Sequence, residues 1–327
     1  GRTSMGVEFR NEGVRSNVLG KPMKEPQDVP FEKEGQYLKS DNRSNISYFL
    51  EHNVLLRRFT LSVGVLANYN SALNEGIHFY PGIDASYRIG DNFRLYGSWN
   101  RALRMPTFTD LYYEGKTNKG NPDLKPEESE AFEVGLKYNT YFLRAHIAGF
   151  YRKGKNMIDW VKEKPEDIWE SQNLTKVDNL GFETNLSLLP RELGNERFFI
   201  RKIELGYAFI HQDKDSEGYI SNYALDYLKH KFTAQLSHSI WKGFSATWYV
   251  RWQDRAGSYT KYENLKPAYE EPYAPYCLVD MKVNWEYQRL NLYAELNNLL
   301  NSTYYDLGNI PQPGIWFKAG FRYSFKY

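Results

Sequence analysis

One cysteine, Cys277, stands among the 327 residues, which excludes an internal disulfide and a multi-cysteine metal site. On a strand it reads as a small hydrophobe. No stretch approaches about 18 apolar residues, so no transmembrane helix is present, and Gly1-Arg2-Thr3-Ser4 do not begin a signal peptide. An excess of either charge is missing too: 42 basic residues face 40 acidic ones, leaving no global field to draw nucleic acid. The chain also lacks a Gly-x-Ser-x-Gly elbow, a His-Glu-x-x-His helix and a Gly-rich phosphate loop, and its six histidines are scattered. No catalytic, metal or cofactor site is expected, and only convergence of a His with Ser and a carboxylate in space would revive catalysis.

Aromatics, by contrast, are plentiful. They make up 17% of the chain, with 27 Tyr and 8 Trp, yet mean hydropathy is only −0.67. A soluble core this aromatic normally brings Leu and Ile runs with it, whereas aromatic girdles around a polar lumen give the balance directly. Segments of about ten residues alternate apolar and polar, as strands do that cross a bilayer at a tilt. Leu61, Val63, Val65, Ala67 and Tyr69 alternate with Ser62, Gly64 and Asn68, with Leu66 as the exception. Phe93, Leu95, Gly97 and Trp99 oppose Arg94, Tyr96, Ser98 and Asn100, and Phe244, Ala246, Trp248, Val250 and Trp252 oppose Ser245, Thr247, Tyr249, Arg251 and Gln253. A soluble β-sandwich alternates in the same way, so the pattern alone leaves both architectures open.

Connection lengths separate them, because outer-membrane barrels join strands by short turns on one side and long loops on the other. Long polar connections are expected over 12–41, 101–128, 154–167, 212–226, 254–272 and 302–314, with a shorter one at 71–76. Between them fall turns near 57, 90–91, 139–140, 243 and 286–288, and a wider one at 190–196. The expectation is an all-β, antiparallel up-and-down transmembrane β-barrel wall of about fourteen strands. Asp213, Asp215 and Glu217 lack the glycine turn and downstream Glu of a calcium loop, so they read as a solvated acidic loop.

One segment is more specific. Trp99-Asn100-Arg101-Ala102-Leu103-Arg104-Met105-Pro106 is followed by Gly120-Asn121-Pro122-Asp123-Leu124-Lys125-Pro126-Glu127. Pro122 and Pro126 stiffen a loop, and Gly120-Asn121 supplies a tight turn before Phe132, Val134, Leu136 and Tyr138 resume alternation. The order resembles the barrel signature of TonB-dependent receptors: Arg-x-Pro at a strand end, then Gly-Asn-Pro-x-Leu-x-Pro-Glu opening the next strand. Residues 173–183, ending in Gly181-Phe182-Glu183, are similar to that family's Asn-then-Gly-x-Glu strand, and Leu296-Asn297-Asn298-Leu299-Leu300-Asn301 with Tyr304-Tyr305 and Pro313-Gly314-Ile315 resembles its final hairpin. Phe321, Tyr323, Phe325 and Tyr327 resemble the aromatic-ended signal read by the outer-membrane assembly machinery. Specific motifs carry the resemblance from about Arg58 onward, and strand pattern alone carries it before that.

The resemblance implies a barrel of about 22 strands closed by an N-terminal plug, of which residues 1–327 would be the C-terminal portion, without plug. It implies a Gram-negative outer-membrane location, lipid around the wall, and coupling to TonB through a region outside these residues. The ligand it implies is scarce and large. Cobalamin comes first, because Asn156-Met157-Ile158-Asp159-Trp160 ahead of the 173–183 strand most resembles cobalamin receptors. A ferric siderophore is the alternative, and haem is disfavoured because residues 107–120 contain no His. Arg101, Arg104, Tyr112 and Tyr113 are the expected ligand contacts, through planar donors and stacking rings with polar tips. The competing reading pairs the arginines with inward carboxylates such as Glu133 and places the tyrosines in the interfacial belt. A passive fourteen-stranded channel or an adhesin is the alternative of another class, and steady conductance in a planar bilayer would mark such a channel.

Overall fold

The computed structural model describes the chain except residues 33, 74, 75, 165, 195, 196, 216, 217, 222–226, 264, 265, 309, 326 and 327, and except the side chains of 174, 175, 215, 262, 263, 266, 267 and 307. Tyr327 therefore lies outside the described residues, as does Glu217. Fourteen long strands follow one another: β1 (Arg2–Ser16), β2 (Gln36–Leu55), β3 (Phe59–Asn70), β4 (Ile77–Ile89), β5 (Phe93–Arg104), β6 (Glu127–Asn139) and β7 (Leu143–Lys162). Then come β8 (Trp169–Leu188), β9 (Ile200–Asp215), β10 (Leu228–Ser239), β11 (Phe244–Arg255), β12 (Tyr276–Tyr287), β13 (Leu290–Asn297) and β14 (Trp316–Tyr323).

Each strand pairs antiparallel with the next through thirteen seams. Among the described residues no pairing joins β1 to β14, so the wall has two free edges. A chain of 38.5 kDa folded as a soluble globule would expose about 14,000 Å². This one exposes 21805 Å². It is a wall one sheet thick, not a body around a core.

Register decides what each face meets. Following the pairings sideways from β3 to β12 traces Phe59, Tyr87, Leu95, Leu136, Ile147, Thr184, Tyr207, Phe232, Trp252 and Cys277. One residue further on, the opposite face reads Arg88, Arg94, Lys137, His146, Asn185, Gly206, Thr233 and Arg251. The first face is an apolar band, interrupted in the traced row by Thr184, with Leu95, Val134, Ile147 and Leu180 at 44, 59, 52 and 56% exposure. Bilayer hydrocarbon is the solvent that makes such a surface stable, and the polar face lines the lumen. Leu66, the exception in the β3 alternation, faces the lumen beside its cross-strand partners Phe49 and Tyr80. Four lumen glycines are each roofed by the aromatic ring directly opposite: Gly6 by Phe49, Gly135 by Tyr96, Gly181 by Phe150 and Gly320 by Tyr293.

All short turns fall at one end and all long connections at the other, as expected. The strand lengths differ from expectation. β2, β7 and β8 each run 20 residues, about twice what a tilted crossing needs, so most of 154–167 and both flanks of 12–41 are strand. These ribbons stand above the apolar band, carrying rows of charge in place of alternation. The connection after β11 is itself a hairpin, Ser258–Glu263 against Lys266–Pro272. The strand Lys21–Asp28 folds back onto β2.

Candidate functional site

The connection between β5 and β6 begins and ends on one cross-strand pair, Arg104 opposite Glu127. Arg104 grips that carboxylate with both Nε and Nη2, the latter at 2.6 Å. Glu127 is almost fully buried and also accepts the Ile158 backbone N–H of β7 at 2.8 Å. One carboxylate thus closes the loop and ties it to the next ribbon. A charge-assisted bidentate pair of this kind is among the stronger polar contacts available.

Inside the loop the chain forms a short helix, α1 (Phe108–Tyr112), which sequence pattern did not indicate. Thr107 caps it reciprocally with Asp110: the Thr107 Oγ accepts the Asp110 N–H, and the Asp110 carboxylate accepts the Thr107 N–H at 3.0 Å. Pro106 just before it offers its carbonyl to Arg43 Nη1 at 2.6 Å. Arg43 is itself buried, donates to Glu12 at 2.6 Å and lies 5.0 Å from the Phe108 ring centroid. The Tyr112 hydroxyl donates to Asp41 at 2.6 Å. Burial, and then the hydrogen bond to Asp41, raises the Tyr112 phenol above its ordinary pKa, so it remains a donor.

The second half of the motif docks the helix from the other side. Gly120 lies against the backbone of α1, where a Cβ would come within 2.8 Å of Leu111 C and Tyr112 N. Its N–H donates to the Tyr113 carbonyl at 2.6 Å, and the Asn121 N–H donates to the Asp110 carbonyl at 2.9 Å. Asn121 Oδ1 turns the chain by accepting the Asp123 N–H at 2.9 Å. Between Pro122 and Pro126, Leu124 is buried and Lys125 exchanges two backbone hydrogen bonds with the Asn173 side chain, at 2.8 and 3.0 Å. Asn173 Nδ2 also donates to the Asn156 carbonyl at 2.6 Å. Residues 118–119 add a parallel pairing to 169–170. Contacts from β2, β5, β6, β7 and β8 therefore converge on this one loop, with Glu12 of β1 behind them holding Arg43.

Three of the four expected ligand contacts belong to this assembly. Arg104 faces the lumen side and is held by Glu127; Tyr112 is held by Asp41; Tyr113, 38% exposed, meets the Trp160 ring edge-on at 6.4 Å between centroids. Arg101 shares the outward parity of Trp99 and pairs there with Glu128 at 3.5 Å and Glu130 at 3.3 Å. It stands apart from the other three, and the inward Glu133 instead accepts the Tyr96 hydroxyl at 2.8 Å. Glu12, Asp41, Arg43 and Asn173 complete the site. Sequence carried no signal for the first three, whose partners lie far along the chain. Phe321 and Tyr323 face outward on β14, and Phe325 packs edge-on against Tyr323 at 4.9 Å.

Two further units brace the same rim. Buried Asp159 accepts the Trp160 N–H at 2.8 Å and the Ser221 hydroxyl and pairs with buried Lys214 at 3.5 Å, fastening residues 220–221 to the tip of β7. Desolvation lowers the Lys214 pKa in spite of Asp159. At the other end, Tyr259 stacks with Tyr305 and packs against Tyr273, whose hydroxyl accepts the Gly308 N–H at 2.9 Å.

Known proteins share this architecture. The family model for the TonB dependent receptor-like β-barrel matches residues 1–299, so the match begins well before Arg58. A vitamin B12 transporter of Vibrio vulnificus is 26% identical over 225 residues, covering 52% of this chain and 36% of that protein. The ferrienterobactin receptor of Escherichia coli is 22% identical over 297 residues, covering 82% of this chain and 38% of that protein. The ferric enterobactin receptor of Pseudomonas aeruginosa, solved in complex with enterobactin, superposes with a TM-score of 0.74 at 19% identity, covering 99% of this chain and 51% of that one. The chain thus spans about a third of the curated relatives' length and about half of the solved chain's. On the strength of the family match and the wall's architecture, this chain belongs to the TonB-dependent receptor β-barrels of the Gram-negative outer membrane.

Proposed function

We propose that the chain forms the wall and outer loops of an active uptake receptor for a scarce, large ligand, with cobalamin as the first choice, and that it carries no catalysis. The loop closed by Arg104 and Glu127 carries this reading: strands β2 and β5 to β8 brace it at the outer mouth, and it presents Arg104 and the partly exposed Tyr113. A ligand meeting a pre-braced surface loses less entropy on binding than one that must order a loop. Tyr113 and Arg104 are the proposed contacts. Tyr112 positions them through Asp41, and Arg101, on the outward face, serves the loop's outer flank. Cobalamin is supported by the Asn156-to-Trp160 segment, which the site uses through Asn156 and Ile158, and by two vitamin B12 transporters among the relatives, at 26 and 23% identity. Passage through the wall depends on a plug and a TonB contact outside these residues.

A ferric siderophore is the second reading. The lumen row containing Arg88, Arg94, Lys137 and Arg251 holds no carboxylate, which suits an anionic cargo. The test is equilibrium binding of cobalamin, haem and ferric siderophores to the full-length receptor, with Tyr113→Ala alongside. The expected result is cobalamin binding that Tyr113→Ala weakens about tenfold or more. Binding of a ferric siderophore without cobalamin would reject the first choice.

A further inference from the structure

Two glycines on the lipid face have no structural reason to be glycine. Among the described strand residues, Gly97 on β5 and Gly149 on β7 are the glycines that point outward within the apolar band, and both flank Val134 in one row. Neither has positive φ. A Cβ at Gly149 would meet nothing nearer than the Gly181 carbonyl at 3.9 Å, and one at Gly97 only the Glu133 carbonyl at 3.4 Å. Glycine inside a strand costs conformational entropy and forgoes a side chain, so what these two supply is empty space.

That space is an apolar furrow. Ala85, Gly97, Val134 and Gly149 form its floor, side by side on four neighbouring strands. The next row toward the loops, Trp99, Phe132 and Tyr151, walls it with rings. One row higher the outward face turns ionic: Arg101, Glu130, Lys153, Asp178 and Asp213 stand in register, with Glu128, Lys155 and Lys176 above them. Glu128 and Glu130 are engaged by Arg101, and Asp178 by Lys176 at 3.2 Å and the Tyr151 hydroxyl at 2.9 Å. Among the described residues Lys153 and Lys155 make no ion pair, and Lys155 is exposed. Among the described side chains of these rows, Asp213 is the carboxylate without an ion pair, and it stands two strands away on β9.

Hydrocarbon furrow, aromatic collar and free ammonium groups follow one another at the depths of acyl chain, interface and phosphate. The geometry points to a bound-lipid site for lipid A, the phosphorylated and multiply acylated glycolipid of the outer leaflet. One acyl chain fills the furrow over Gly97 and Gly149, and a phosphate meets Lys153 and Lys155, four and six residues further along β7, or about 14 and 20 Å at about 3.4 Å per residue. The carboxylates beside them leave room for a divalent cation to bridge to a second phosphate. The furrow lies on the half of the wall that bears the long loops, and that half faces the outer leaflet.

The full-length receptor, purified and loaded with bisphosphorylated lipid A, is washed in detergent, and retained lipid is counted by native mass spectrometry. The expected result is one retained lipid A. Gly149→Leu should cut retention about tenfold or more, and Gly149→Ala less; the double variant Lys153→Gln, Lys155→Gln should cut it about tenfold with the furrow still open. Heat-dependent mobility in SDS reports folding of each variant, and the lysine variant, remote from packing, decides alone if Gly149→Leu does not fold. Retention unchanged by the lysine variant would overturn the proposal. So would phosphatidylglycerol held as well as lipid A and displaced by the same substitutions.

Discussion

Glu127 shows how one side chain can organise a loop: it takes two donors from Arg104 across the seam and the Ile158 N–H from the next ribbon. Gly120 does the complementary work by having no side chain, since its Cα lies where any Cβ would collide with the α1 backbone. Gly120→Ala should therefore lift α1 off the Asp110–Asn121 contacts and leave the wall intact. Local costs of this kind run about 1–3 kcal/mol, or about one to two decades in local opening. Hydrogen exchange at residues 107–121 should accelerate by that factor, while heat-dependent mobility stays as in the wild type. Asn173→Ala, which removes three hydrogen bonds to Lys125 and Asn156, should free residues 121–126 in the same assay. Exchange rates equal to the wild type in both variants would mean that the motif does not brace the loop.

At the scale of elements, the alternation that marks a strand in sequence is a record of its two solvents, lipid and lumen water. It marks β3, β5 and β11 clearly because both faces there lie within the band. Above it both faces are wet or buried against neighbouring ribbons, and alternation ends while the hydrogen-bond ladder does not. That is why β7 past Lys153 and the strand flanks within 12–41 read as loop. The 101–127 motif was legible as a unit, but its docking was not: Arg43 meets Pro106 across 63 residues and Tyr112 meets Asp41 across 71, separations at which pattern carries no pairing information.

The clasp on residues 220–221 makes an element-scale prediction. Asp159→Asn leaves the buried Lys214 ammonium unpaired, a change that typically costs about 3–5 kcal/mol. Hydrogen exchange at Ile220 and Ser221 should accelerate sharply, and adding Lys214→Met should recover most of the protection. Because the folded-state pKa of Lys214 lies below its ordinary value of 10.5, the folded clasp holds fewer protons than the open one between those two values. Its stability should rise with pH through that window and stay level at its lower value below it. Protection unchanged in Asp159→Asn would remove the clasp from the account.

The whole molecule rests on one assignment, that the apolar face meets lipid, the polar face the lumen, and every long connection the outside. Cys277 lies on the lipid face opposite Trp252, so a Cys277→Ala background should fold and gives a blank for labelling. The direct test is single-cysteine scanning of the full-length receptor in intact cells with a membrane-impermeant maleimide. Cysteines at Lys116 and Asp123, in the braced loop, should label from outside. Cysteines at Arg57 and Tyr141, in the short turns, should label only after lysis, and those at Ile147 and Gly149 should resist the reagent in both conditions. Labelling of the short turns in intact cells, or of Ile147 and Gly149 by the aqueous reagent, would contradict the account.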